Sequence, residues 1–269
     1  MYPARFLILA LALFTLSFCS GSGTEASEEG SQPASREFYQ LKVYTFDNAA
    51  QQATTDQYLA EAFLPALQRQ GIGPVGVFQN RLSEEDTTRK TFVLIPFARI
   101  DQFLRLDPSL EKDPAYQEAG SAYLDAPYDA SPYQRIESVL MQAFEDMPRM
   151  QASPVQGERS DRIYELRSYE SPTEELYWNK VDMFNAGGEV ALFDRLGFNA
   201  VFYGEVLSGS AMPNLMYMTT FPDRTTRDSL WNEFREAPEW KALLAMDKYK
   251  NNVSHSDIFL LYPTPYSDY

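Results

Sequence analysis

The side chains with the most chemical potential in this chain recur in one strand-like stretch. Glu165, Arg167 and Tyr169 alternate at period two with Tyr164, Leu166 and Ser168, and the run ends at Ser171-Pro172. A carboxylate, a guanidinium and a phenol two residues apart share one face of a strand. There they can orient an anionic or aromatic ligand, or pair with one another and fix strand register. An earlier stretch repeats the pattern. Gln40, Lys42 and Tyr44 alternate with Tyr39, Leu41 and Val43, and Tyr164 follows Tyr39 by 125 positions. His255, the only histidine, opens Ser254-His255-Ser256-Asp257, two residues from a carboxylate that can orient it.

Other chemistries lack their residues. There is no second histidine, the single cysteine (Cys19) lies in the leader, and no Asp/Glu cluster has ligand spacing, so no metal is expected. No Gly-rich phosphate loop follows a strand, and no Ser/His/Asp order carries a nucleophile elbow. No cofactor is expected either.

The elements that must position these residues occur twice. Strand patterns at 37–46, 74–82, 89–97 and 133–144 are joined by helical patterns at 56–70, 99–106 and from the Asp113-Pro114 cap onward. The second half repeats that order from strand 162–169 to strand 255–262. Asp113-Pro114-Ala115-Tyr116 returns as Ala237-Pro238-Glu239-Trp240, and the helix stop Gln70-Gly71-Ile72-Gly73 returns as Leu196-Gly197-Phe198-Asn199. Pro65 falls inside the first helix pattern and should kink it. The order is β-α-β-β-α-β twice, the ferredoxin-like motif, in an α+β chain. Each sheet needs a cover for its bare face, so the two are expected to face each other as an intrachain α/β-barrel. The organisation read is a leader at 1–19, a tether at 20–35, a repeat at 36–147, a linker at 148–157 and a second repeat at 158–269.

Alternation gives each opening strand two faces. The more apolar set, with Leu41 and Leu166, is expected to meet the helices. That leaves Gln40, Lys42, Tyr44, Glu165, Arg167 and Tyr169, together with His255, as candidate lumen residues, with Glu165 the nearest partner for Arg167. The Tyr-rich segments Tyr123 to Tyr133 and Tyr262 to Tyr269 are loop-like and placed to lid a barrel mouth.

The run Ile163-Tyr164-Glu165-Leu166-Arg167-Ser168-Tyr169, the Gly197-Phe198 stop, the strand Val201-Phe202-Tyr203-Gly204-Glu205 and the Ala237-Pro238-Glu239-Trp240 helix start resemble a NIPSNAP domain. The resemblance covers residues 161–265 well and 36–147 more weakly. It implies the dimeric α/β-barrel fold and supplies no catalytic motif. Related barrels include monooxygenases of aromatic substrates and haem-binding enzymes, a kinship that is weak warrant for chemistry.

Bulk properties narrow the setting. With 44% hydrophobic and 14% aromatic residues among 269, the chain can fill a sizeable core and is not a disordered protein. A formal net charge of −15 argues against nucleic acid, whose binding rests on neutralised phosphates. Met1-Tyr2-Pro3-Ala4-Arg5 followed by the apolar run Phe6 to Phe18 reads as a signal sequence, too short for a comfortable membrane span. Leu16-Ser17-Phe18-Cys19 resembles a lipobox. Phe18 departs from the small residue usual there, so ordinary cleavage near Ser20 or Ser22 is the alternative. The expected location is periplasmic or outer-membrane-associated in a bacterium, with the lipid at Cys19 as the one membrane contact. Oligomeric state is not read from the sequence.

Two functions fit. One is a module that binds a small apolar or anionic ligand or a partner protein. The other is a cofactor-independent, monooxygenase-like enzyme acting on an aromatic or quinone-like substrate in the lumen. For the anchor, Cys19→Ser is expected to move the protein from the membrane to the soluble fraction of its native host with the barrel still folded. Wild-type protein that is soluble after leader removal would contradict lipidation.

Overall fold

The computed structural model describes residues 35–84 and 86–269. The leader, Cys19 and the tether up to residue 34 lie outside the described residues. The first half runs β1 (Phe38–Phe46), α1 (Ala49–Tyr58), a π-helical turn (Leu59–Phe63), α2 (Leu64–Arg69), β2 (Gly76–Asn80), β3 (Arg89–Phe97), α3 (Ile100–Leu110), α4 (Pro114–Leu124) and β4 (Arg135–Ala143). The second runs β5 (Ile163–Glu170), α5 (Glu174–Phe184), α6 (Glu189–Leu196), β6 (Ala200–Ser208), β7 (Asn214–Phe221), α7 (Arg224–Glu236), α8 (Pro238–Ala245) and β8 (His255–Pro263).

Local chemistry explains most boundaries. Asp113 accepts from the backbone N–H of Ala115 and Tyr116 at 3.0 and 3.1 Å, which starts α4 at Pro114. Gly197 takes φ 80° and ends α6, a conformation that favours glycine. The first helix begins earlier than its apolar pattern implies. Asn48 caps it by accepting from Gln51 N–H at 3.0 Å, and the weakly apolar Ala49–Ala53 turns then form on capping and alanine propensity. Pro65, the expected kink, sits just after the π turn, the local widening by which helices accommodate an interrupted hydrogen-bond ladder.

β1 lies between β3 and β4, and β5 lies between β7 and β8, so each half is a ferredoxin-like sheet of antiparallel strands. The two sheets also join edge to edge. β2 pairs with β8 through Phe78↔Pro263 and Asn80↔Leu261, and β4 pairs with β6 through Met141↔Val206 and Ala143↔Gly204. The result is a closed barrel in the order β1-β3-β2-β8-β5-β7-β6-β4, with no free sheet edge. At the β4–β6 seam the backbones approach closely. A Cβ on Gly204 would lie 3.1 Å from the Cβ of Met141, so the seam needs glycine there.

All eight strands contribute fully buried apolar residues to the lumen: Leu41, Phe78, Leu94, Met141, Leu166, Phe202, Met218 and Leu261. Deleting one such side chain typically costs about 2–5 kcal/mol, so the lumen is the main cohesive layer between the halves. The C-terminal Tyr269 closes one end, its ring 5.9 Å from Phe78 and 6.4 Å from Tyr164. The tail therefore plugs the barrel, as its composition suggested. The other Tyr-rich segment does not follow suit: Tyr123 stacks on Tyr58 at 3.8 Å within the helical layer.

The expected face assignment is reversed. Tyr39, Leu41, Val43, Tyr164 and Leu166 point into the lumen, while Tyr44 and Ile163 join the cores between sheet and helices. By the same alternation Gln40, Lys42, Glu165, Arg167 and Tyr169 also face the helices, and Arg167 does not meet Lys42 or Tyr44 across the lumen. The physical reason is partner supply. The closed middle of the lumen has no helix to bring counter-charges, so it takes the uncharged set. The helical layer can hold ions because α7 delivers donors to them.

Candidate functional site

Glu165 is fully buried between β5 and α7. Its Oε1 accepts from Arg167 Nε at 2.7 Å and from Arg227 Nη2 at 2.9 Å. Its Oε2 accepts from Arg227 Nε at 2.7 Å and from Trp231 Nε1 at 2.9 Å. Arg227 and Trp231 are four residues apart on α7 and so present one face to the strand. Burial works against the carboxylate charge, but the Arg227 and Arg167 guanidiniums and the Trp231 N–H outweigh it and hold Glu165 below its ordinary value. The expected Arg167–Glu165 pair is thus present, on the helical side of the sheet.

Arg167 is oriented from three sides. Besides Glu165, its Nη1 donates to Tyr169 Oη at 2.8 Å, and its guanidinium lies 3.7 Å over the Trp231 ring. Tyr169 and Tyr217 hydroxyls are 2.8 Å apart, and burial pushes the Tyr217 phenol up, so Tyr217 stays a neutral donor and acceptor. Arg167 Nη2 also lies 2.5 Å from Glu165 Oε1, so each terminal nitrogen of Arg167 has one partner, which leaves one N–H on each without an acceptor among the described residues.

These groups border an open pocket of about 700 Å³ lined by β5, α5, α6, α7, α8 and the segment 249–253. Lys180 and Glu189 form a buried pair at 2.8 Å on its wall, with the Lys180 ammonium 4.6 Å from the Phe184 ring centre. Trp231, Phe234 and Trp240 supply aromatic surface, and Arg235 and Lys250 add charge at its border. The lining holds four cations, Arg167, Lys180, Arg235 and Lys250, against the single carboxylate of Glu189. In a chain of net charge −15 this is a local inversion of sign, suited to an anion.

The first half keeps the strand positions without the site. Gln40 stands where Glu165 does and donates to Ser138 Oγ at 2.8 Å. The Lys42 ammonium lies 5.1 Å over Phe63 and 5.7 Å over Tyr44, two buried rings packed against it. At the same 125-residue spacing Leu106 replaces Trp231 and Thr55 replaces Lys180. Gln40, Lys42 and Tyr44 are therefore not brought together with Glu165, Arg167 and Tyr169. His255 stands apart from both groups. It is exposed at the start of β8, with Nε2 3.2 Å from Asp257 Oδ1.

Sequence reading missed Lys180, Glu189, Arg227, Trp231 and Trp240. A signal existed in α5, where Tyr177, Lys180 and Phe184 share the buried face and one of them is charged. The buried carboxylate on β5 also demanded donors from elsewhere.

Residues 164–268 match the family model described as NIPSNAP. The match falls on the C-terminal half. Every β5, α5, α7 and α8 contributor to the cavity lies inside the matched span. No curated protein matches the chain. A candidate monooxygenase from Fusobacterium nucleatum superposes with a TM-score of 0.54 at 8% identity, covering 86% of this chain and 93% of that one. One from Lactobacillus acidophilus gives 0.52 at 6% identity, covering 85% and 94%. At such identities the likeness is one of fold, the dimeric α/β-barrel, closed here within a single chain.

The Glu165 cluster has a measurable consequence. Because Glu165 titrates below its ordinary 4.5 in the folded state, its stabilisation is full above that pH and is lost as pH falls through the folded value. Glu165→Gln is expected to cost about 3–5 kcal/mol at neutral pH, since two guanidiniums lose their buried counter-ion. It should also flatten the acid limb of stability, measured by denaturant unfolding across a pH series.

Proposed function

We propose that the C-terminal half binds a small anion with an aromatic or apolar body in the cavity between β5 and helices α5, α7 and α8. The observation that carries this reading is Arg167. Its charge is fixed by Glu165, Tyr169 and Trp231, yet donors on its terminal nitrogens remain uncommitted at the wall of the cavity. A cavity of about 700 Å³ suits a small organic molecule. The aromatic wall of Trp231, Phe234 and Trp240 would hold its body, and Arg167 with Lys180 its charge. The first half, with Leu106 and Thr55 at the matching positions, serves as the structural partner that completes the barrel.

The turnover reading asked for a base or an oxygen-activating group in the lumen. Arg167 and Tyr169 lie on the other face of β5, and His255 is exposed at the barrel's open end, so binding is the better-supported role. Export and a lipid at Cys19 complete the proposal. They rest on the leader sequence, and they would place the binding module at a bacterial envelope surface.

Anilinonaphthalene sulfonate, an anionic aromatic fluorophore, is a suitable probe. Arg167→Ala is expected to weaken its binding roughly 10–100-fold, the loss of charge-assisted hydrogen bonds worth about 1.5–3 kcal/mol, while Lys42→Ala leaves it unchanged. A lower melting temperature with unaltered probe affinity in Arg167→Ala would make the cluster purely structural.

A further inference from the structure

The opposite face of β5 carries a second constellation at the open end of the barrel. Strand pairing sets Glu170 opposite His255 on β8 and opposite Asn214 on β7, with Ser168 opposite Asp257 one step further in. All five residues share the lumen-facing parity of Leu166. The donor atoms of Glu170, His255 and Asp257 lie within 4.8 Å of one another. Asn214 is 3% exposed. Its Nδ2 donates to Ser168 Oγ at 2.9 Å, while its Oδ1 is buried without a partner. Asn214 and Asp257 both line a chamber of about 350 Å³ that runs from this mouth into the lumen as far as Leu41, Phe92 and Leu166.

We propose that Glu170, His255 and Asp257 form a three-ligand site for a divalent first-row transition metal, at the edge of this chamber. The donor set argues for the class. One imidazole and two carboxylates suit Zn²⁺, Co²⁺, Mn²⁺ or Fe²⁺ better than the all-oxygen shell that Ca²⁺ and Mg²⁺ require. Three protein ligands leave a position open, the arrangement of reactive rather than purely structural metal sites. Asn214 stands opposite Glu170 in the β5–β7 register, and its unpaired Oδ1 would gain a partner from a metal-bound water. Metal–donor distances of about 2.0–2.2 Å bring donors to roughly 3–3.5 Å from one another. Rotation of the exposed His255 and the half-buried carboxylates accommodates that closing. Glu137, which also lines the chamber, adds negative charge, and Lys90 is the opposing cation, its ammonium drawn 5.2 Å over the Phe259 ring.

The site is independent of the anion pocket, being on the other face of the same strand. It was invisible to sequence spacing because Glu170 lies 85 positions before His255 and only the β5–β8 register joins them.

The single histidine makes the test clean. In tag-free protein, Zn²⁺ followed by calorimetry is expected to bind with a stoichiometry of one and to shift the one set of imidazole NMR resonances in step. His255→Ala and Glu170→Gln should each weaken binding at least about tenfold, and Glu118→Gln, on the exposed face of α4, should leave it unchanged. Co²⁺ should give ligand-field bands that vanish in His255→Ala. Thermal unfolding of each variant without metal should match wild type, since the side chains are at the surface of the mouth. Zn²⁺ affinity unaffected by His255→Ala, or imidazole resonances unmoved at saturating Zn²⁺, would overturn the proposal.

Discussion

A buried carboxylate organises the second half of this protein. Glu165 sits in the layer between sheet and helices with two N–H donors on each oxygen. Uncompensated, such an ion would be among the most costly groups in the fold. Compensated by Arg227 and Trp231, it locks α7 to β5 in one register. Through Arg167 it turns a guanidinium toward an aromatic-walled cavity and holds it there. Asp228, which also bonds Arg227, is half exposed, so within the layer itself one carboxylate faces two guanidiniums. The excess positive charge is carried to the cavity wall, where Lys180 and its partner Glu189 adjoin it.

Duplication explains why one half is free to do this. Each ferredoxin-like sheet has a face that must be covered, and the other sheet covers it through an apolar core joined at both seams. Once that core supplies cohesion, only one helical layer is needed for a site. The first half keeps Lys42 and Tyr44 but loses Glu165, Trp231 and Lys180 to Gln40, Leu106 and Thr55, and its helical layer closes over Lys42 with Phe63. The second half keeps the ion cluster and the cavity.

The repeat, the strand order and the barrel were legible because they depend on period and spacing, which a sequence displays directly. The caps at Asp113 and the stop at Gly197 were legible for the same reason. The choice between faces was not. Period two says that Leu166 and Arg167 point in opposite directions, and nothing local says which direction is the lumen. Hydrophobicity misled because both faces of β5 are buried. The apolar environment is the middle of the barrel rather than the helix interface, since Arg227 and Trp231 can reach only the latter. The Glu170–His255–Asp257 group escaped for a related reason: it exists only in the pairing of β5 with β8. The π turn before Pro65 has no signal in the apolar pattern at all.

The proposed space for an anionic aromatic ligand lies between β5 and its helices and not inside the barrel. A crystal structure of the natively purified protein, or of protein soaked in an aromatic carboxylate, tests it directly. The carboxylate is expected against Arg167 and the ring against Trp231 or Trp240, with the lumen core unchanged. Ligand density within the lumen among Leu41, Phe92 and Leu166, with the Arg167 cavity left to water, would contradict it.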